Sequence, residues 1–155
     1  MSIDKVREYL GKFGLSERVR VFDVSSATVE LAAAALSVEP ARIAKTMTFL
    51  LKSGPVAVVA AGDRKIDNAK FKARFGEKAK MIPAESVEEI VGHPVGGVCP
   101  FALNEGVAVF LDEGLKRFGT VFPACGSANS AAELTPEELR RCTGGAWVDV
   151  CKPSL

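Results

Sequence analysis

The chain has 155 residues, 48% of them hydrophobic and 25% charged, with a formal net charge of +1. That length fits one domain able to bury a core, and the composition is that of an ordinary globular protein. No apolar run approaches the roughly 18 residues of a membrane span, and MSIDKVREYL has no apolar signal stretch, so a soluble cytoplasmic protein without a membrane partner is expected.

In chain order, Ile3, Val6, Leu10 and Phe13 mark one face of an opening helix. VRVFDV, 19–24, alternates as a strand does. VELAAAALSV, from Val29, is built of strong helix formers and must stop before Pro40. IAKTMTFLL, 43–51, and PVAVVAA, 55–61, are apolar runs joined by Lys52-Ser53-Gly54, which predicts a hairpin. Asp67 is placed to cap a basic helix over 68–75. Ser86-x-x-Glu89 reads as a capping box for a helix that ends at Gly92. VAVFLD, 107–112, and TVFPAC, 120–125, read as further strands. Thr135-Pro136-Glu137-Glu138 starts another helix, and AWVDVC, 146–151, is a last strand. Strands outnumber clean βαβ units. The expected fold is therefore α+β, a mixed, curled sheet with flanking helices.

Cysteines stand at 99, 125, 142 and 151, without a CxxC pair, and His93 is the single histidine. Free thiols are expected rather than structural zinc. Charge is unevenly spread. From Arg42 to Lys80 ten Lys/Arg face three acids, whereas from Met81 to Leu139 two basic residues face nine acids. A basic segment of this kind suits either a solvated helix face or a phosphate backbone.

Two places invite chemistry. On the first hairpin strand, alternation puts Lys45 on the face of Ile43, Met47, Phe49 and Leu51. An ammonium among apolar side chains must reach water or an anion, so Lys45 either snorkels to solvent or holds a phosphate or oxyanion. Thr46 points to the other face and would assist only indirectly. The second place is GHPVGGVCPFAL, 92–103, which holds three glycines, two prolines and the histidine. Gly96 and Gly97 leave main chain open to a ligand, and Pro100 biases Cys99 to an extended conformation. Met47, Phe49, Phe101 and Phe122 can wall a small pocket, although such residues are more often core.

The order IAKTMTF, hairpin, basic helix, GHPVGGVCPFAL, strand pair resembles the YbaK/ProX family, free-standing relatives of the editing domain inserted in bacterial prolyl-tRNA synthetases. The resemblance runs from about Val21 to Val150. It implies one editing domain over residues 1–155, with a partly barrel-like sheet, that hydrolyses mischarged aminoacyl-tRNA without metal or organic cofactor. The substrate implied is proline tRNA carrying cysteine or alanine, and prolyl-tRNA synthetase is an implied partner. By the same resemblance, Lys45 holds the terminal nucleotide. The Gly-x-x-x-Pro loop, Gly96, Gly97, Val98, Cys99 and Pro100, offers main-chain groups to the ester and water. Thr46, Phe49 and Phe101 would contact substrate, as would Gly126 and Ser127 in a second glycine-containing loop. Cys99 departs from the Ser or Thr that many relatives carry before the loop proline, which leaves amino-acid selectivity open. His93 is read as a polar loop residue. Two other functions compete: a thiol hydrolase using Cys99 and His93, and a non-enzymatic module binding aminoacyl-tRNA or a nucleotide. The sequence carries no signal for oligomeric state.

Overall fold

The computed structural model describes residues 2–154; the ends of the expected 1–155 domain, residues 1 and 155, lie outside the described residues. The centre of the fold is the predicted hairpin. Strand β2 (Ile43–Leu51) pairs antiparallel with β3 (Gly54–Ala61) from Ala44↔Ala61 to Leu51↔Gly54. Val59 and Ala61 of β3 enter one core and Val56, Val58 and Ala60 enter the other. A strand buried on both faces reads as an unbroken apolar run, which is why PVAVVAA shows no alternation.

Parallel neighbours complete a mixed sheet. Strand β5 (Ala108–Asp112) lies beside β3, and β8 (Ala146–Val148) beside β5. On the other side β2 is flanked by β6 (Phe122–Pro123). Two antiparallel pairs curl the ends: β1 (Val19–Val21) with β7 (Ser130–Ala132), and β4 (Arg64–Ile66) with β9 (Cys151–Pro153). The α+β mixed, curled sheet is as expected.

Helix α1 (Ser2–Gly11) seals one face with Val6 and Leu10, both fully buried. Helix α2 (Val29–Leu36) packs Ala32 and Ala33 against Ile43 and Phe122. Helix α3 (Asn68–Phe75) covers the opposite face through Phe71, whose ring lies 5.0 Å from that of Phe49. Asp67 caps α3 as expected, accepting from the Ala69 and Lys70 amides. Helix α5 (Pro136–Thr143) carries the full capping box: Thr135 Oγ1 accepts from the Glu138 amide at 3.0 Å, and Glu138 accepts from the Thr135 amide at 2.9 Å. Truncating such a cap costs about 1 kcal/mol.

Four expectations are corrected. Helix α4 (Ala84–Val91) starts after Pro83, so Ser86 sits inside it and forms no capping box; the end at Gly92, in the left-handed region, is as read. A proline that fixes an extended conformation displaces the start by one turn. The strand expected over 19–24 ends at Val21, because Phe22 and Ser26 bond instead to the 128–129 loop. The strand expected over 120–125 is only β6. The last strand is split: the Val150 amide turns to Asp112 Oδ1 at 3.1 Å, ending β8 before β9 starts.

Candidate active site

A cavity of about 480 Å³ opens along one edge of β2. Strand β6 pairs with β2 only at Ile43 and Ala44. Farther along, the 80–82 segment joins the same edge: the Leu50 amide donates to the Lys80 carbonyl, and the Ile82 amide to that of Thr48. Between these contacts lie Lys45, Thr46 and Met47, all lining the cavity. At an open edge, residues of both faces reach the same space. Lys45 and Thr46 therefore share the cavity despite the alternation that separates them.

Three loops form the far wall. Segment 22–28 is zipped to the 126–130 loop: the Phe22 amide donates to the Asn129 carbonyl at 2.8 Å, Asn129 Nδ2 to the Phe22 carbonyl at 3.1 Å, and the Ser26 amide to the Ala128 carbonyl at 2.6 Å. Gly96, with φ +92°, fits against Ala27 and Ala128; a Cβ there would lie 3.3 and 3.6 Å from their methyl carbons. Gly97 packs still closer on the 126–127 main chain, where a Cβ would stand 2.6 Å from the Ser127 nitrogen. Its amide donates to the Pro94 carbonyl at 3.0 Å. The double glycine thus serves loop-on-loop packing as well as an open backbone, with Gly96 and Val98 on the cavity wall and Gly97 behind it.

Lys45 is the single charged side chain lining the cavity among the described residues. Its ammonium donates to the Arg64 carbonyl. That turn is braced by Arg117, which grips the Asp63 carboxylate through contacts of 3.0 and 2.6 Å. Burial pushes the Lys45 pKa down, while Asp63 and Glu30 draw it back up. One of its three N–H groups is engaged, so others remain for an anion. The rest of the wall is apolar or hydroxylic, from Val29, Ile43, Met81, Val87 and Phe122 to Ser26 and Ser130; no carboxylate, imidazole or thiol lines it among the described residues.

The remaining residues singled out from sequence lie elsewhere. Phe49 is buried against Phe71 beneath α3, and Phe101 is buried beside Tyr9. Pro100 borders a separate shallow pocket behind the loop. Gly126 and Ser127 stand behind Gly97, with Ser127 Oγ donating to Ser130 Oγ at 2.7 Å. Cys99 and His93 do meet, Sγ to Nε2 at 3.4 Å, but both are fully buried. His93 is thus a buried tie, not the polar loop residue expected. Its Nε2 lies 2.6 Å from the Phe101 carbonyl, which can only accept, so Nε2 carries the proton. Nδ1 then accepts from the Ser2 hydroxyl. An Nε2 that donates cannot deprotonate Cys99, and burial holds that thiol at about 12. Ser26 was missed from sequence: it sits in a small-residue run, Ser25-Ser26-Ala27-Thr28, whose only local signal is the helix cap at Thr28.

Residues 23–142 match the aminoacyl-tRNA editing domain family. The chain belongs to that family. This agrees with the YbaK/ProX resemblance carried by IAKTMTF and the Gly96–Pro100 loop. Among editing-domain relatives, the uncharacterized protein YwhH of Bacillus subtilis (strain 168) is 49% identical over 154 residues, 98% of each chain. EbsC of Enterococcus faecalis, provisionally named a Cys-tRNA(Pro)/Cys-tRNA(Cys) deacylase, is 28% identical over 79% of this chain and 76% of its own. The crystal structure of a protein provisionally named a trans-editing enzyme for prolyl-tRNA synthetase superposes with a TM-score of 0.89 at 28% identity, covering 97% of each chain. No helix among the described residues of this editing-domain protein is long and apolar enough to cross a membrane.

Proposed function

We propose that this chain, read as a single editing unit over residues 1–155, is a trans-editing aminoacyl-tRNA deacylase acting on proline tRNA mischarged with cysteine or alanine. The observation that carries the reading is one lysine beside exposed glycine-loop main chain, in a cavity that no other charged side chain lines among the described residues. Lys45 would hold the terminal phosphate or ribose, with the Gly96 and Val98 main chain facing the ester. Water adds to the ester carbonyl carbon and the bond to the ribose oxygen breaks. That oxygen leaves with a proton relayed by the neighbouring ribose hydroxyl, releasing free amino acid and uncharged tRNA. An aminoacyl ester is already activated, so orientation and electrostatic stabilisation suffice without a carboxylate or imidazole base. The apolar wall suits a small side chain, the kind a synthetase pocket discriminates poorly. The acceptor end is the expected partner surface, with prolyl-tRNA synthetase acting upstream in the cytoplasm.

The test is deacylation of proline tRNA carrying Cys, Ala, Ser or Pro by wild type, Lys45→Ala and Cys99→Ala. Loss of a mischarged ester while Pro is spared, reduced about 10²-fold by Lys45→Ala, supports the reading. Binding of the charged tRNA without ester loss would replace it with the non-enzymatic module.

A further inference from the structure

Two hydroxyls of the cavity wall already have work. Thr28 Oγ1 accepts from the Leu31 amide at 3.2 Å, and Ser130 Oγ is bonded to Ser127 Oγ at 2.7 Å. Two do not. Ser26 Oγ and Thr46 Oγ1 are buried without any hydrogen-bond partner, and both residues line the cavity. Ser26 is only 6% exposed. Buried polar groups are almost always paired, so an orphan on a cavity-lining residue marks a place where a ligand can supply the partner. Neither orphan is a product of loose structure. Ser26 is clamped through its amide to Ala128, and Thr46 stands in the middle of β2 opposite Val59. Such placement holds the hydroxyls ready before a ligand arrives.

We propose that Ser26 and Thr46 determine specificity, selecting an aminoacyl ester whose short side chain ends in a hydroxyl or thiol over the alanyl ester. This rests on the deacylase reading and names the substrate class within it. The reasoning is differential. A serine or cysteine side chain, having both a donor and an acceptor, completes the two hydroxyls. Alanine offers neither donor nor acceptor and leaves them unpaired. A site built to bond a substrate hydroxyl discriminates far more strongly than one that only measures size. Elsewhere the cavity wall is mainly apolar, and with no carboxylate lining it among the described residues a longer basic side chain finds no counter-ion there.

The experiment compares kcat/KM for Ser-, Cys- and Ala-esters of one proline tRNA, with wild type, Ser26→Ala and the near-isosteric Thr46→Val. In parallel, calorimetry measures binding of hydrolysis-resistant 3′-amide analogues of seryl-, cysteinyl- and alanyl-adenosine. Wild type is expected to favour Ser and Cys over Ala by about 10- to 100-fold, and each variant to move that ratio toward one. Melting temperatures should hold steady or rise, since each substitution removes an unpaired buried group. Cleavage of all esters without preference overturns the inference and leaves the deacylase reading standing. Preference in analogue binding with no ester cleaved does the reverse. Equal loss for every ester, with the ratio unchanged, also overturns it: the hydroxyls would then hold a group common to all substrates. A wild-type preference for Ala refutes it outright.

Discussion

Replacing Gly97 by alanine asks whether the glycine-rich loop is held by direct contact between main chains. A Cβ at this position would stand 2.6 Å from the Ser127 nitrogen and 2.8 Å from both the Gly126 carbonyl carbon and Ser127 Cα. All three are main-chain atoms, so no rotamer change can make room. Comfortable contacts start near about 3.5 Å, so the two loops must part by roughly 0.7–0.9 Å. Over-packing of this kind costs about 1–3 kcal/mol. In a chain of this size about 2 kcal/mol lowers the melting temperature by roughly 4–8 °C. The same shift would move Gly96 and Val98 relative to Lys45, and a misplacement near 1 Å costs about 10²-fold in rate. Gly119→Ala is the control, since a Cβ there meets nothing within 4 Å. The assay is thermal unfolding followed by circular dichroism, run beside deacylation of the mischarged tRNA. A Gly97→Ala protein that melts within about 1 °C of wild type and keeps its rate would refute the loop-packing argument.

Burial lowers the pKa of His93 below its ordinary 6.5. Between the two values the unfolded chain binds the extra proton. His93 therefore contributes stability that is present above about pH 6.5 and is lost as pH falls through the window below it. Urea unfolding from about pH 7.5 to 5.5 should show this decline, flattened in His93→Gln; an identical slope in the variant would assign the decline to other groups. All four cysteines are buried, and Cys99, Cys142 and Cys151 are each pushed up to about 12. A disulfide reagent at about pH 8 should label none of them in the native protein and all after denaturation. Prompt labelling of Cys99 would reopen the thiol-hydrolase reading.

Much of the architecture was legible because its signals are local. The β2–β3 hairpin comes from two long apolar runs and a three-residue break. The caps at Asp67 and Thr135 are hydrogen bonds that close within three residues. Gly92 ends α4 by adopting a conformation that other residues resist. Legibility failed where pairing was short and distant. Strands β6 and β8 are brief, and their limits depend on neighbours far along the chain, as when Asp112 captures the Val150 amide. Ser86 misled because its spacing to Glu89 satisfies a local rule that Pro83 overrides.

For the candidate site, the sequence by itself singled out Lys45 and the glycine-rich loop, because a cation inside an apolar strand and a double glycine are anomalies visible without coordinates. Only the tertiary structure decided which side chains share the cavity. Cys99 and Phe101 follow Gly96 within five residues, yet they turn into the core that α1 closes. Ser26 lies seventy residues before Gly96 and reaches the cavity because the Asn129 and Ala128 carbonyls hold its segment there. Loops have no period from which a side chain's direction can be read. That direction is set by the partners that satisfy the loop's main-chain groups, and those partners are distant in sequence.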